Sequence, residues 1–202
     1  LNIKMPNEGA GIESYYDCVI KNADISIVDA EQGIVVSNAT PTATFKGVTI
    51  TKSKIYISTL GFPSDRAADG IAGIKFYTAA LNILDSNVYI ESRSCIRGGS
   101  DPTSLVFIKG ASVVRLINPN RNDPIVLNAY VSTFELSKGG SVTINASAYN
   151  FYYVDNIKLG AGTKAEYGTK DSQSTRDSDA YLYRPEYNDG LKIIRFVYGA
   201  GA

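Results

Sequence analysis

A strand–turn–strand phrase recurs along most of this 202-residue chain. In each copy an aliphatic residue precedes a short polar turn, and an aliphatic–polar–aliphatic triplet follows the turn. The three clearest copies are residues 19–27, 49–57 and 82–90. Because the phrase repeats one supersecondary unit, with loops of differing length between its copies, it predicts a solenoid in which each unit packs on the next.

The phrase continues in weaker form after residue 90, in 105–113, 134–142 and 157–163. The turn is one residue longer in these copies, and Gly110 suits its left-handed backbone conformation. The alignment turns Arg115 inward if Val113 is inward. Either the strand shifts its register there, or the alignment is wrong by one residue, which would reverse every side chain. The aligned anchor residues of the six copies are Ile20, Ile50, Ile83, Phe107, Leu136 and Leu159.

A third short strand fits between successive copies, as in 11–14, 33–36, 95–98 and 124–127. Three strands per turn of about 25 to 30 residues predict an all-β fold, a right-handed single-stranded parallel β-helix of about seven coils. The predicted organisation is a β-helix over 1–168, a polar loop over 169–180, and a C-terminal hairpin cap with a tail over 181–202. Such a cap would cover the apolar end of the last coil.

Composition excludes several classes of function. Twenty Lys and Arg balance twenty Asp and Glu, so there is no excess positive charge to attract nucleic acid. No apolar run approaches the roughly 20 residues of a membrane span, and we expect no membrane insertion. The chain has no His, which excludes Ser–His and Cys–His nucleophiles. We expect Cys18 and Cys95 to be buried thiols rather than a disulfide, because the alignment places them in different strands of the repeat.

Tyr56 and Tyr89 occupy the same outward position in consecutive copies. They should therefore stack on the outside of the rod, roughly 5 Å apart, the spacing of neighbouring strands. Sugars pack their C–H faces against aromatic rings, so the pair is a candidate carbohydrate platform. The alternative is an aromatic ladder that only stabilises the sheet.

Two loops carry candidate ligands for a metal or an acidic sugar. The longer loop is 59–69, and its later counterpart is 118–123. Carboxylate oxygens suit Ca²⁺ and guanidinium groups suit sugar carboxylates, although Asp and Asn are also ordinary loop residues. The candidate calcium ligands are Asp65, Asp69 and Asp123, and the candidate sugar-binding arginines are Arg66 and Arg121.

Lys75 and Arg97 fall in or beside the row of third strands. A basic side chain there would act as the base in β-elimination of uronic acids if Ca²⁺ acidified the substrate proton, and Arg97 is also a candidate ligand-binding residue. A glycoside hydrolase would need paired carboxylates, and this row offers Glu13 alone. Catalysis is therefore the less favoured reading.

The segments 11–14, 20–27 and 32–34 resemble the coil of pectate-lyase-like right-handed β-helices. The chain is most similar to bacterial surface carbohydrate-binding β-helix domains, and Asp69-Gly70-Ile71 matches an element of their repeat. The resemblance covers roughly residues 1–167 and implies a secreted or surface-anchored bacterial protein that contacts polysaccharide, with Ca²⁺ as a possible cofactor. The chain departs from the hydrolases of this superfamily, which use a Gly-His-Gly segment.

These observations lead to one expected function and two alternatives. The expected function is a non-catalytic extracellular module that binds a polysaccharide or a cell-surface glycan, as an adhesin does. The first alternative is a Ca²⁺-dependent, pectate-type polysaccharide lyase. The second is a structural stalk without a ligand.

Overall fold

A computed structural model describes the chain in separate ranges. The described residues are 1–5, 9–37, 47–59, 71–76, 80–98, 104–118, 126–136, 141–146, 151–159, 163–169, 172–178, 182–183 and 193–198. Side chains are described in these ranges up to residue 117, with the exception of Ser104, and from residue 118 onward only the strands and their pairing are described.

The described residues form twenty β-strands and no helix. The strands of the first half are β1 (Asn2–Lys4), β2 (Ala10–Ser14), β3 (Cys18–Lys21), β4 (Asp24–Val28), β5 (Gln32–Val36), β6 (Val48–Thr51), β7 (Lys54–Ser58), β8 (Ala72–Phe76), β9 (Ala80–Leu84) and β10 (Asn87–Glu91). The strands of the second half are β11 (Ile96–Arg97), β12 (Ser104–Lys109), β13 (Val113–Asn118), β14 (Val126–Leu136), β15 (Ser141–Ala146), β16 (Phe151–Leu159), β17 (Thr163–Thr169), β18 (Ser172–Ser178), β19 (Leu182–Tyr183) and β20 (Ile193–Tyr198).

Each strand from β1 to β10 pairs in parallel with the strand three places later in the chain. This produces three rows of parallel strands. The first row is β2-β5-β8-β11, the second is β3-β6-β9-β12, and the third is β1-β4-β7-β10-β13-β15. The long strands β14 and β16 each extend from the first row into the second. Three consecutive strands, one in each row, are called a layer below.

The core is built from aliphatic side chains that stack from layer to layer. In the third row, Ile27 pairs with Ile57, and Ile57 pairs with Ile90. All three are fully buried, while the positions between them on each strand are more exposed. Burial of one such side chain stabilises the fold by about 1.5–3 kcal/mol, so the alternation predicted from the repeat also supplies its stability.

The predicted alignment is correct for the first three copies and wrong by one residue in the fourth. Ile20 pairs with Ile50 and Ile50 with Ile83, as predicted, but the next partner is Ile108 rather than Phe107. The shift turns Val114 into the core and Arg115 outward, so the inward position suggested for Arg115 is wrong. A strand has two faces, and a one-residue error exchanges them.

The corner between the second and third rows has the same left-handed backbone conformation in successive layers. Asn22, Lys52 and Asp85 have φ of 51°, 48° and 49°, and Gly110 has φ of 61° at the same corner of the next layer. The left-handed conformation costs least for Gly and is tolerated by Asn and Asp. The glycine predicted from the longer turn is therefore confirmed at residue 110.

A glycine column allows the first row to approach the third. A Cβ built on Gly33 would collide with the backbone oxygen of Gly73 and with the Ile57 side chain, and one on Gly73 would collide with Ile90. Gly11 has the same relation to Ile27. Because Gly33 pairs at the level of Gly73, the residues that match Gln32-Gly33-Ile34 are 72–74 rather than 69–71.

The C-terminal strands end the parallel order. β20 pairs antiparallel with β15 and with β17, and β19 pairs antiparallel with β16. The two strands of the predicted hairpin thus pair with different rows. The segment predicted as a polar loop contains β18, which pairs antiparallel with β17.

Both cysteines are free and buried, as predicted. Cys18 begins β3 in the second row, and Cys95 precedes β11 in the first row. Burial raises the pKa of both thiols above the ordinary value of a cysteine. Both therefore behave as small apolar core residues at neutral pH.

Candidate functional site

The outer face of the third row carries the side chains that alternate with the buried aliphatic columns. On β7 and β10 the outward column at mid-strand is formed by Tyr56 and Tyr89, which are direct partners across the sheet. The same column holds Ser26 in the preceding layer and Arg115 in the following one. A serine, two tyrosines and an arginine therefore lie in line along the direction in which the strands pair.

The two tyrosine rings stack on each other. Their centroids are 5.3 Å apart and their planes differ by 19°. This confirms the predicted stack, and its role in binding stays a prediction.

Glu91 binds both phenols at their hydroxyl ends. Tyr89 donates to Oε1 of Glu91 at 2.7 Å, and Tyr56 donates to Oε2 at 3.2 Å. One carboxylate thus fixes the orientation of two rings. Glu91 lies two residues after Tyr89 on the same strand face, so period-two reasoning would have been sufficient to find it.

The carboxylate contributes to a raised pKa of both phenols. The hydrogen bond to Glu91 is the main cause that raises the pKa of Tyr89 to about 12, with burial and the charge of Glu91 adding to it. Burial is the main cause that raises the pKa of Tyr56, followed by the charge of Glu91. At neutral pH both tyrosines are therefore hydrogen-bond donors, and neither serves as a base.

An open groove of about 450 Å³ runs beside the stack. It is lined by both rings, by Arg115 and by residues from the start of each strand. The complete lining is Asp24, Lys54, Ile55, Tyr56, Asn87, Val88, Tyr89, Val113 and Arg115. The apolar surface of the groove is therefore formed by the two rings and the exposed Val113, with a few polar groups at its edges, as is usual in sites for small molecules.

The charged side chains of the groove are exposed. Within the described part of the chain, no salt bridge engages Asp24, Lys54 or Arg115. Asp24 and Lys54 are nevertheless direct partners across β4 and β7. An acceptor and a donor are thus both available at one end of the groove.

The structure does not bring Arg97 to this groove. Arg97 lies in the first row on β11, where it pairs with Lys75 of β8, whereas the tyrosines lie in the third row. Both basic residues are partly buried and have contacts of their own. The remaining predicted residues lie outside the described ranges: Asp65, Arg66, Asp69, Arg121 and Asp123.

Sequence reasoning missed the polar residues of the groove. Arg115 was assigned to the inner face because of the one-residue error. Asp24, Lys54 and Asn87 sit at the first position of their strands and were read only as turn residues.

Metal ligation finds no support in the described ranges. There, no group of three or more His, Cys, Asp or Glu side chains is placed to hold a metal ion. The predicted calcium ligands fall outside these ranges, so the calcium hypothesis stays a prediction.

Across the same described residues, no helix is long and apolar enough to cross a membrane.

Comparison with known proteins returned no match to a family model, a curated protein or a solved structure.

Proposed function

We propose that this chain is a non-catalytic glycan-binding module, built as a right-handed parallel β-helix and acting at the cell surface or outside the cell. The third-row groove is the binding site of this proposal. The stacked pair Tyr56–Tyr89 at its wall is the observation that carries it.

The strand pairing supports the solenoid architecture. Each strand of the described first half pairs with the strand three places later, so that three strands complete one turn. The buried columns in each row repeat at every turn. Right-handed winding is the hand expected for parallel crossover connections of L-amino acids.

The form of the groove favours binding over a purely structural ladder. A ladder needs only ring-to-ring contact, but here Tyr56 remains 37% exposed and an open groove adjoins both rings. Aromatic rings pack against the apolar faces of sugars, and nearby charged groups bond to sugar hydroxyls. Asp24, Lys54 and Arg115 supply such groups beside the rings.

The test measures binding to immobilised glycans by the wild type and by the variants Tyr56→Ala and Tyr89→Ala. We expect each variant to bind at least about tenfold more weakly, a loss of about 1.4 kcal/mol. Tyr15→Ala is the matched control, because Tyr15 is 70% exposed and is not part of the groove. Equal binding by wild type and both groove variants would contradict the proposed site.

A lyase is the second candidate, and one contact favours it. Lys75 and Arg97 are direct partners on neighbouring strands, which places two basic groups together in the first row. Incubation with polygalacturonate and Ca²⁺, followed by the absorbance of unsaturated products, separates the two functions. Product formation would support the lyase, and absence of both products and glycan binding would leave the structural stalk.

A further inference from the structure

Tyr56 is the more exposed of the two stacked tyrosines. The rings stack along the direction of strand pairing, so each ring has one face covered by the other ring and one face turned away from it. Tyr56 turns its second face toward its other partner, Ser26, while Tyr89 turns its second face toward Arg115.

We propose that one neutral pyranose unit of the glycan stacks on the Ser26-facing side of Tyr56, and that Ser26 determines access to this subsite. The inference rests on the proposed glycan-binding function and assigns the position and chemistry of one sugar. Tyr56 keeps 37% of its surface exposed although Tyr89 covers one of its faces, so its remaining face is open.

The size of Ser26 provides the space. In the next two layers the same column holds tyrosine, and the rings fill the distance between strands by stacking. Neighbouring strands lie only about 4.8 Å apart, so an aromatic residue at position 26 would cover the second face of Tyr56. Because Ser26 is small, it leaves the second face of the Tyr56 ring uncovered, and a sugar ring can lie on that face.

Asp24 and Lys54 define the chemistry of the subsite. They are partners on the same two strands as Ser26 and Tyr56, two residues earlier on each strand, and both line the groove. The Asp24 carboxylate accepts and the Lys54 ammonium donates, which matches two adjacent hydroxyl groups of a pyranose. The opposite charges of Asp24 and Lys54 cancel, so the pair offers no net attraction to an acidic substituent, and this position suits a neutral sugar.

Glu91 does not compete for the same sugar. Its two oxygens accept the phenolic hydroxyls, and Glu91 does not line the groove. It therefore holds the Tyr56 ring in place while the polar groups on the groove side contact the ligand.

Substitution of Ser26 tests the subsite without removing any groove group. Titration calorimetry with cello-oligosaccharides, manno-oligosaccharides and oligogalacturonates would compare the wild type, Ser26→Phe and Ser26→Ala. We expect Ser26→Phe to weaken binding of the best neutral oligosaccharide at least about tenfold, because the new ring covers Tyr56. Ser26→Ala keeps the space open, and its affinity should stay within about twofold of wild type.

Two further readouts keep the outcomes distinct. Asp24→Ala should weaken the neutral oligosaccharide and should not weaken the oligogalacturonate, since the removed charge repels acids. Circular dichroism and urea unfolding would establish that each variant is folded.

Each result has one meaning. If Tyr56→Ala loses binding while Ser26→Phe retains it, the subsite is overturned and glycan binding by the groove stands. Tighter binding of oligogalacturonate than of either neutral series overturns the neutral-sugar assignment. If the wild type binds none of the three series and no immobilised glycan, the proposed function and the subsite both fail.

Discussion

Glu91 shows how one residue organises the outer face of a sheet. Its carboxylate accepts from Tyr56 and Tyr89, and it therefore holds two rings parallel that cross-strand packing alone would only bring close. Cross-strand aromatic pairs contribute roughly 0.2–1 kcal/mol, and a charged acceptor adds to this. The same contact contributes to the raised pKa of both phenols.

The stability of the fold should depend on alkaline pH through Tyr89. Its folded pKa of about 12 is raised above the ordinary 10.0, so its contribution is complete below pH 10.0 and is lost as pH rises through about 12. Glu91→Ala removes the hydrogen bond and the charge together, whereas Glu91→Gln keeps a weaker, neutral acceptor; we expect the pKa of Tyr89 to fall toward 10.0 in both, and further in Glu91→Ala. Absorbance titration of tyrosinate, with Tyr89→Phe to identify the signal, measures the change. An unchanged titration in Glu91→Gln would contradict the assigned cause.

A ladder of buried serines joins the second row to the third. The backbone N–H of Ser53 donates to Oγ of Ser86 at 3.1 Å, and that of Ser86 donates to Oγ of Ser112 at 3.3 Å. The backbone N–H of Ala23 donates in the same way to Oγ of Ser53. Each hydroxyl satisfies a backbone group that the left-handed corner leaves unpaired, which buried polar groups require.

Removal of a ladder hydroxyl should cost more in the middle than at the end. Ser86→Ala leaves the N–H of Ser53 without its acceptor at a buried site, so we expect a loss of about 1–3 kcal/mol in the free energy of unfolding. Ser53→Ala is the matched control, because it orphans the N–H of Ala23 at a part-buried site and should cost less. Urea unfolding measures both variants. An equal or reversed order would show that the ladder is not the source of the loss.

In the described first half the molecule is a stack in which each layer contacts its neighbours. Stability in such a stack is close to a sum of layer and interface contributions, so a terminal layer opens more easily than an inner one. Cys18 lies in β3, which pairs only with β6 among the described strands, whereas the residue following Cys95 pairs on both sides, with Ile74 and Val126. The two thiols thus report on different depths in the stack.

Thiol labelling under native conditions should follow this order. We expect Cys18 to react faster than Cys95, because β3 has a paired strand on one side only among the described strands and Cys95 is fully buried. The single variants Cys18→Ala and Cys95→Ala isolate each rate, which a maleimide and mass spectrometry would measure. The unfolded chain should label both thiols alike. Equal rates in the folded protein would indicate that it opens as one cooperative unit.

The inner wall of the molecule was predictable because burial imposes a strict period of two. Ile25, Ile55 and Val88 were aligned from sequence and are partners in the structure. The alignment failed at Phe107, where both neighbouring residues are also apolar and hydrophobicity does not distinguish the two faces. The outward pair Tyr56–Tyr89 followed from the same period and was predictable for the same reason.

The sequence alone determined the all-β repeat, the buried aliphatic columns and the tyrosine stack, since each follows from the local alternation that recurs in every copy. Only the tertiary structure decided what surrounds the stack. Asp24, Lys54 and Arg115 meet beside the rings because layers far apart in the chain lie against each other. Strand register, which depends on the length of every intervening turn, determines which polar residues share a groove, and no single copy of the repeat contains that information.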